Sequence, residues 1–107
     1  MTSDRVRAAV VQMVSGDIVA DNLRDAGAWV DAAADDGAEL VVLPENFAFL
    51  GRHERAALAV GESEGAGPMQ DFLAATAQRL GITLVGGSLP IRGGEPDRGR
   101  SACLVYG

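Results

Sequence analysis

The sequence predicts an α/β domain whose sheet is largely parallel, and three observations carry that reading. Residues 6–13 (VRAAVVQM) and 40–43 (LVVL) are short apolar runs of the length buried strands have. Between them, Leu23, Ala26, Val30 and Ala33 recur at three- and four-residue steps, the period of a helix with one apolar face. A second helical stretch and a third apolar run, residues 82–89 (ITLVGGSL), then repeat the pattern. Strand, helix, strand is a βαβ unit, which crosses over right-handedly and pairs its strands in parallel.

Each element has local support. The first run is apolar at nearly every position after Arg7, as expected of a strand covered on both faces, and Ser15-Gly16-Asp17 supplies a turn. The helix over 21–36 has Asp21 or Asn22 to cap its start and Gly37 for a left-handed end, with Trp29 on the flank of its stripe. Residues 52–60 (RHERAALAV) suit two turns of helix, and 61–67 (GESEGAG) a flexible acidic loop. Pro68 begins a long helix with Met69, Phe72, Ala75 or Thr76, and Leu80 as its apolar stripe; Gly81 ends it. In the run 82–89, Gly86-Gly87 permits a bulge or a close backbone approach, and Pro90 closes the strand. Residues 93–99 (GGEPDRG) form a polar turn. Residues 101–106 (SACLVY) form a fourth strand, near enough to pair antiparallel with the third.

Composition bounds the function. The chain has 107 residues, enough for one small domain with a modest core, and its net charge of −6 without a basic cluster argues against nucleic acid or an anionic membrane as partner. Every basic residue is arginine; there is no lysine. Single Cys103 and single His53 exclude an internal disulfide and a multi-histidine or multi-cysteine metal site. His53 alone is given no catalytic role. No run approaches the roughly 20 apolar residues of a membrane span, and Gln12 interrupts the first run too early for a signal peptide. A reducing, cytoplasmic setting is the simplest expectation.

The residue that asks for a chemical reason is Glu45. Pro44 ends the run 40–43, because proline has no N–H for the ladder, and a carboxylate follows at once with Phe47, Phe49 and Leu50 behind it. Ligands of open α/β sheets bind at the carboxyl ends of the strands. An apolar collar of Phe47 and Phe49 would hold a carboxylate's proton more tightly than water does, as proton transfer requires. The same pattern also suits a solvated loop carboxylate or a helix cap.

Taken in order, VRAAVVQM, a helix, GAELVVLPENF, a helix, ITLVGGSLP and SACLVYG resemble the N-terminal part of a nitrilase-superfamily carbon–nitrogen hydrolase. The most specific piece is LVVLPENF at 40–47, supported by GGSLP at 86–90; NFAFLGRHE tilts the likeness toward the omega-amidase and deaminated-glutathione amidase branch. The resemblance implies an αββα sandwich, here as an incomplete N-terminal portion: a mixed sheet with helices on one face, residues 1–107 being part of one domain. It implies hydrolysis of a small amide, one bearing a carboxylate among the options, by a Glu–Lys–Cys triad without a cofactor, in a homo-oligomer. Glu45 matches the family's general base. The lysine and the nucleophilic cysteine have no match, since the chain has no lysine and Cys103 falls inside an expected strand, where cysteine is a small buried hydrophobe.

The resemblance thus points to the front part of a thiol-dependent amidase, inactive by itself. The alternative is a non-catalytic module that associates with itself or a partner through exposed sheet edges. A nucleotide-binding domain fails, because no glycine-rich loop joins the first strand to its helix.

Overall fold

The computed structural model describes residues 5–53, 55–95 and 98–107. Its described elements are β1 (Ala8–Val10), α1 (Val19–Asp35), β2 (Leu40–Val42), α2 (Ala56–Val60), α3 (Pro68–Leu80), β3 (Thr83–Val85), β4 (Leu89–Arg92), β5 (Gly99–Ala102) and β6 (Val105–Tyr106). One sheet runs β1-β2-β3-β6; β1, β2 and β3 are parallel and β6 antiparallel to β3. A separate antiparallel pair joins β4 and β5. The expected mixed sheet is present. Because the strands step across the sheet in one direction with crossovers of one hand, α1 and α3 lie on the same face and pack on each other.

Alternation along three-residue strands decides what each face does. Val41 and Leu84 point into the core between sheet and helices, fully buried with Ala26, Val30, Leu73 and Leu43. Tyr106, on β6, packs against the same core; burial first, then Glu62 and Asp71, push its hydroxyl above its ordinary range. The other face carries an in-register row, Val10, Val42, Val85 and Val105, one valine from each strand. Val10 is 78% exposed and Val105 62%, so β1 is not covered on both faces as its apolar sequence suggests.

Five other expectations are corrected. The run 82–89 is not one strand: β3 stops at Val85, the chain turns through Gly86-Gly87-Ser88, and β4 runs through Pro90 rather than ending at it. Residues 101–106 likewise divide between two sheets, β5 pairing with β4 and β6 with β3. Cys103 lies in the link between them, exposed, so it is neither in a strand nor buried. The stripe of α3 is rotated from Phe72 and Leu80 toward Met69, Leu73, Thr76 and Ala77, while Phe72 turns toward α1 and stacks, tilted, on Phe47. The two-turn helix expected over 52–60 is shorter, at Ala56–Val60; Glu54 of that segment, and Pro96 and Asp97 of the expected polar turn, lie outside the described residues.

Helix ends follow the expected chemistry only in part. Gly37 (φ +93°) and Gly81 (φ +65°) take the left-handed conformation after α1 and α3. At the start of α1 neither Asp21 nor Asn22 caps; the cap position is Ile18, which offers no side-chain hydrogen bond. The acidic loop before α3, expected to be flexible, is tied down at Glu62, while residues 63–66 stay exposed. Glu62 is 7% exposed and accepts from the N–H groups of Met69 (2.5 Å) and Gln70 (3.1 Å), capping α3 from eight residues away, and from the Gln70 side-chain amide (3.1 Å).

Candidate active site

The turn that presents Glu45 is made where three segments meet at the carboxyl ends of the parallel strands. Leu43 extends the ladder of β2 by one bond, its N–H donating to Val85 O at 2.9 Å. Pro44 cannot continue it, and Asn46 adopts φ +55°, a left-handed conformation that asparagine tolerates better than most residues. The chain therefore reverses at Glu45-Asn46.

The opposite side of this turn is the break between β3 and β4. Gly87 has φ +54°, and a Cβ placed on it would lie 2.0 Å from Pro44 O and 2.6 Å from Leu43 O. Only glycine lets these two backbones touch. Ser88, next in line, accepts the Asn46 N–H on its Oγ at 2.9 Å. The two sequence pieces LPEN and GGS are thus one structural unit, packed backbone to backbone.

A second clamp holds the chain after the turn. Asn22 is 3% exposed: its Oδ1 accepts from Gly16 N–H (2.9 Å), and its Nδ2 donates to Gly16 O and Ala48 O (each 2.8 Å). Ser15 Oγ donates to Phe47 O at 2.8 Å, and Leu50 N–H donates to Gly16 O at 2.9 Å. The loop after β1 is thereby fastened to the segment that follows Glu45. Replacing Asn22 by alanine should cost about 2 kcal/mol, since Gly16 N–H and the buried Ala48 O lose their partner together and Gly16 O is left with Leu50 N–H alone. Urea denaturation measures it; a loss below about 0.5 kcal/mol would mean the clamp is dispensable.

Asn22 is a residue that sequence reasoning misplaced, and the signal was there: it occupies the core-facing stripe of α1 one turn before Ala26, where a helix cap would not sit. Glu62 gave no such signal, being one acid among several in a glycine-rich segment.

Glu45 itself is exposed, so Phe47 and Phe49 do not enclose it; both are buried, at 0% and 6% exposure, in the body of the domain. The left-handed step at Asn46 separates the outward carboxylate from the inward aromatics. His53 and Arg52 border a shallow cleft on the far side of Asn46 and Phe49, and Arg52 pairs with Asp17 at 2.8 Å. Cys103 stands alone on the β5–β6 link, and among the described residues no three His, Cys, Asp or Glu side chains gather as a metal site would need. Among those residues, too, no helix is long and apolar enough to cross a membrane.

Comparison with known proteins agrees with this architecture. The carbon–nitrogen hydrolase family matches residues 7–105. The chain is 40% identical to omega-amidase NIT2 of Danio rerio over 111 residues, covering 96% of this chain and 36% of that protein. It is also 40% identical to a deaminated glutathione amidase of Synechocystis over 87 residues, covering 78% of this chain and 30% of that protein. Saccharomyces cerevisiae Nit3, of branch 10 of the nitrilase superfamily, superposes with a TM-score of 0.81 at 23% identity, over 94% of this chain and 39% of that one. An amidase from Nesterenkonia superposes at 0.75 with 27% identity, over 94% and 37%. The chain spans about a third of the length of these relatives. It belongs to the carbon–nitrogen hydrolase family.

Proposed function

We propose that this chain is the N-terminal part of one carbon–nitrogen hydrolase domain that cleaves a small amide, and that Glu45 is its general base. The observation that carries the reading is the placement of Glu45: an exposed carboxylate at the carboxyl end of a parallel strand, on a turn fixed by Gly87 and Ser88. A residue that moves protons must reach substrate yet be held still, and this turn offers both. In the proposed reaction Glu45 takes the proton of a thiol as it attacks the amide carbon, and gives it to the departing amine. It then activates the water that cleaves the thioester. The thiol and the lysine that would steady the oxyanion are not among these 107 residues.

The valine row on the open sheet face supports the same reading, because a second layer of an αββα sandwich would bury it. It also favours the second reading, a non-catalytic module that buries the face against itself or a partner. One experiment separates them. The intact mass of the gene product from its source cells is expected to lie well above 11.0 kDa, and that product to release ammonia from a short-chain amide. A product of 11.0 kDa without amidase activity, running as an oligomer in sedimentation, would overturn the hydrolase reading in favour of the module.

A further inference from the structure

Every positive-φ residue among those described is glycine except one, Asn46 at φ +55°, which follows Glu45 directly. We propose that Asn46 is a substrate-positioning residue: its side-chain Oδ1 accepts an N–H of the amide being cleaved and holds that nitrogen beside Glu45. The proposal deepens the reading of Glu45 as the base and rests on it.

The choice of residue is the first argument. Glycine takes a left-handed conformation at no steric cost, whereas asparagine takes it chiefly where its side chain can hydrogen-bond nearby backbone. Asn46 has no such bond: among the described residues its side-chain amide has no hydrogen-bond partner. Its backbone N–H does the structural work, donating to Ser88 Oγ at 2.9 Å, and glycine would make that bond equally well. The turn therefore explains the backbone at this position but not the side chain. Non-glycine residues held in sparsely populated conformations gather at functional sites, and this one adjoins the candidate base.

Where the side chain lies is the second. Asn46 is half-buried and borders two spaces at once, a cavity of about 240 Å³ between α2 and the β4–β5 hairpin and the shallow cleft beside Arg52 and His53. Phe49 and Ala57 are the other residues common to both, and both are apolar. Asn46 is thus the one hydrogen-bonding side chain at the junction, a single polar group on an apolar wall, which is how a small-molecule site fixes orientation. Among the described residues no buried side-chain nitrogen or oxygen lacks a partner, so the unpaired Asn46 amide opens onto these spaces. Chemistry selects Oδ1. A substrate amide nitrogen keeps an N–H up to its departure, so an acceptor can hold it throughout. With that N–H turned to Oδ1, the lone pair that forms on nitrogen in the tetrahedral intermediate is oriented toward the proton Glu45 delivers. Being neutral, asparagine does this without setting a second negative charge beside Glu45.

The test compares two substrates of the complete gene product, butyramide and 4-nitrophenyl butyrate. They share an acyl chain, but the ester's leaving group carries no N–H and departs without needing a proton. kcat/KM reports the steps up to that departure. Asn46→Gly keeps the turn and should melt at or above the parent's temperature, yet it should lower kcat/KM on the amide about tenfold while changing the ester by less than about twofold. Asn46→Asp also accepts the left-handed conformation and keeps an acceptor, so its amide-to-ester ratio should stay within about threefold of the parent's. A glycine variant with the parent's ratio, whether both rates hold or both fall together, would reduce Asn46 to a turn former and overturn the proposal. An aspartate variant that loses the ratio as glycine does would overturn it as well, by assigning the effect to the Nδ2 donor. Glu45→Gln separates the two readings. If it abolishes amide hydrolysis while Asn46→Gly keeps the ratio, the positioning role alone falls. Amide hydrolysis indifferent to Glu45→Gln overturns the base, and this proposal with it.

Discussion

Replacing Glu62 by alanine should lower stability by about 3 kcal/mol, the largest loss expected from a single polar side chain among the described residues. Two donors depend on this one carboxylate, the Met69 and Gln70 N–H groups, and the Gln70 side-chain amide, which also donates to Ser63 O and Ala66 O, adds a third bond. The first two are orphan donors of the first turn of α3, at the positive end of the helix, where a negative charge is stabilising. Glu62 is also joined to the hairpin through its backbone, donating to Pro90 O at 3.1 Å and accepting from Arg92 N–H at 2.7 Å. It therefore ties the start of α3 to β4, and losing it loosens both. Glu62→Gln keeps one acceptor oxygen but sets an NH₂ against the same donors, so it should recover less than half of the loss.

Gly67 makes the argument sharper. Its φ of +139° is one that other residues rarely adopt, and a Cβ placed there would lie 2.3 Å from the Glu62 carboxyl carbon. Gly67→Ala should therefore destabilise through two routes, backbone strain and displacement of the carboxylate. Removing the carboxylate first abolishes the second route. The double variant Glu62→Ala/Gly67→Ala should lose at least about 1 kcal/mol less than the sum of the singles, measured by urea denaturation in a double-mutant cycle. Additive losses would show that Glu62 does not hold the helix start in the way the distances indicate.

What the sequence made legible follows from what periodicity can encode. The β1–α1–β2 unit, α3 and the left-handed glycines after both long helices could be read because apolar spacing and glycine have local causes. The places where strands stop or change sheets could not. Residues 82–89 and 101–106 are apolar on both sides of each break, so nothing in hydropathy marks the turn at Gly86-Gly87 or the link at Cys103. The turn is set by a tertiary event, the approach of Gly87 to Pro44 O, which no local pattern contains. Buried polar residues were hidden for the opposite reason. Glu62 and Asn22 read as surface or cap residues because polarity ordinarily means exposure, and only the fold reveals the backbone groups they satisfy. Glu45 was legible by position, at a strand end after proline, while its exposure was misjudged from the aromatics that follow it.

Glu45→Gln should lower kcat of the gene product on a short-chain amide by about 10³-fold while leaving KM and stability nearly unchanged. The side chain is exposed, so the substitution removes no packing and strands no buried donor; its stability effect should stay within about 0.5 kcal/mol. Glutamine keeps the shape and one oxygen but cannot take a proton at neutral pH, so only steps that move a proton are affected. Glu45→Asp retains the acid on a shorter stem, and because the turn is fixed by Gly87 against Pro44 and by Ser88 against Asn46, the backbone cannot follow to restore the reach. It should fall between the two, roughly 10- to 100-fold below the parent. Ser88→Ala supplies the contrast: Asn46 N–H loses its acceptor, the turn loosens, and kcat should drop about tenfold without abolishing the reaction. Ammonia release under saturating amide distinguishes the three. A glutamine variant that kept more than a tenth of the parent rate would remove Glu45 from the proton-transfer step and leave the turn as scaffold alone.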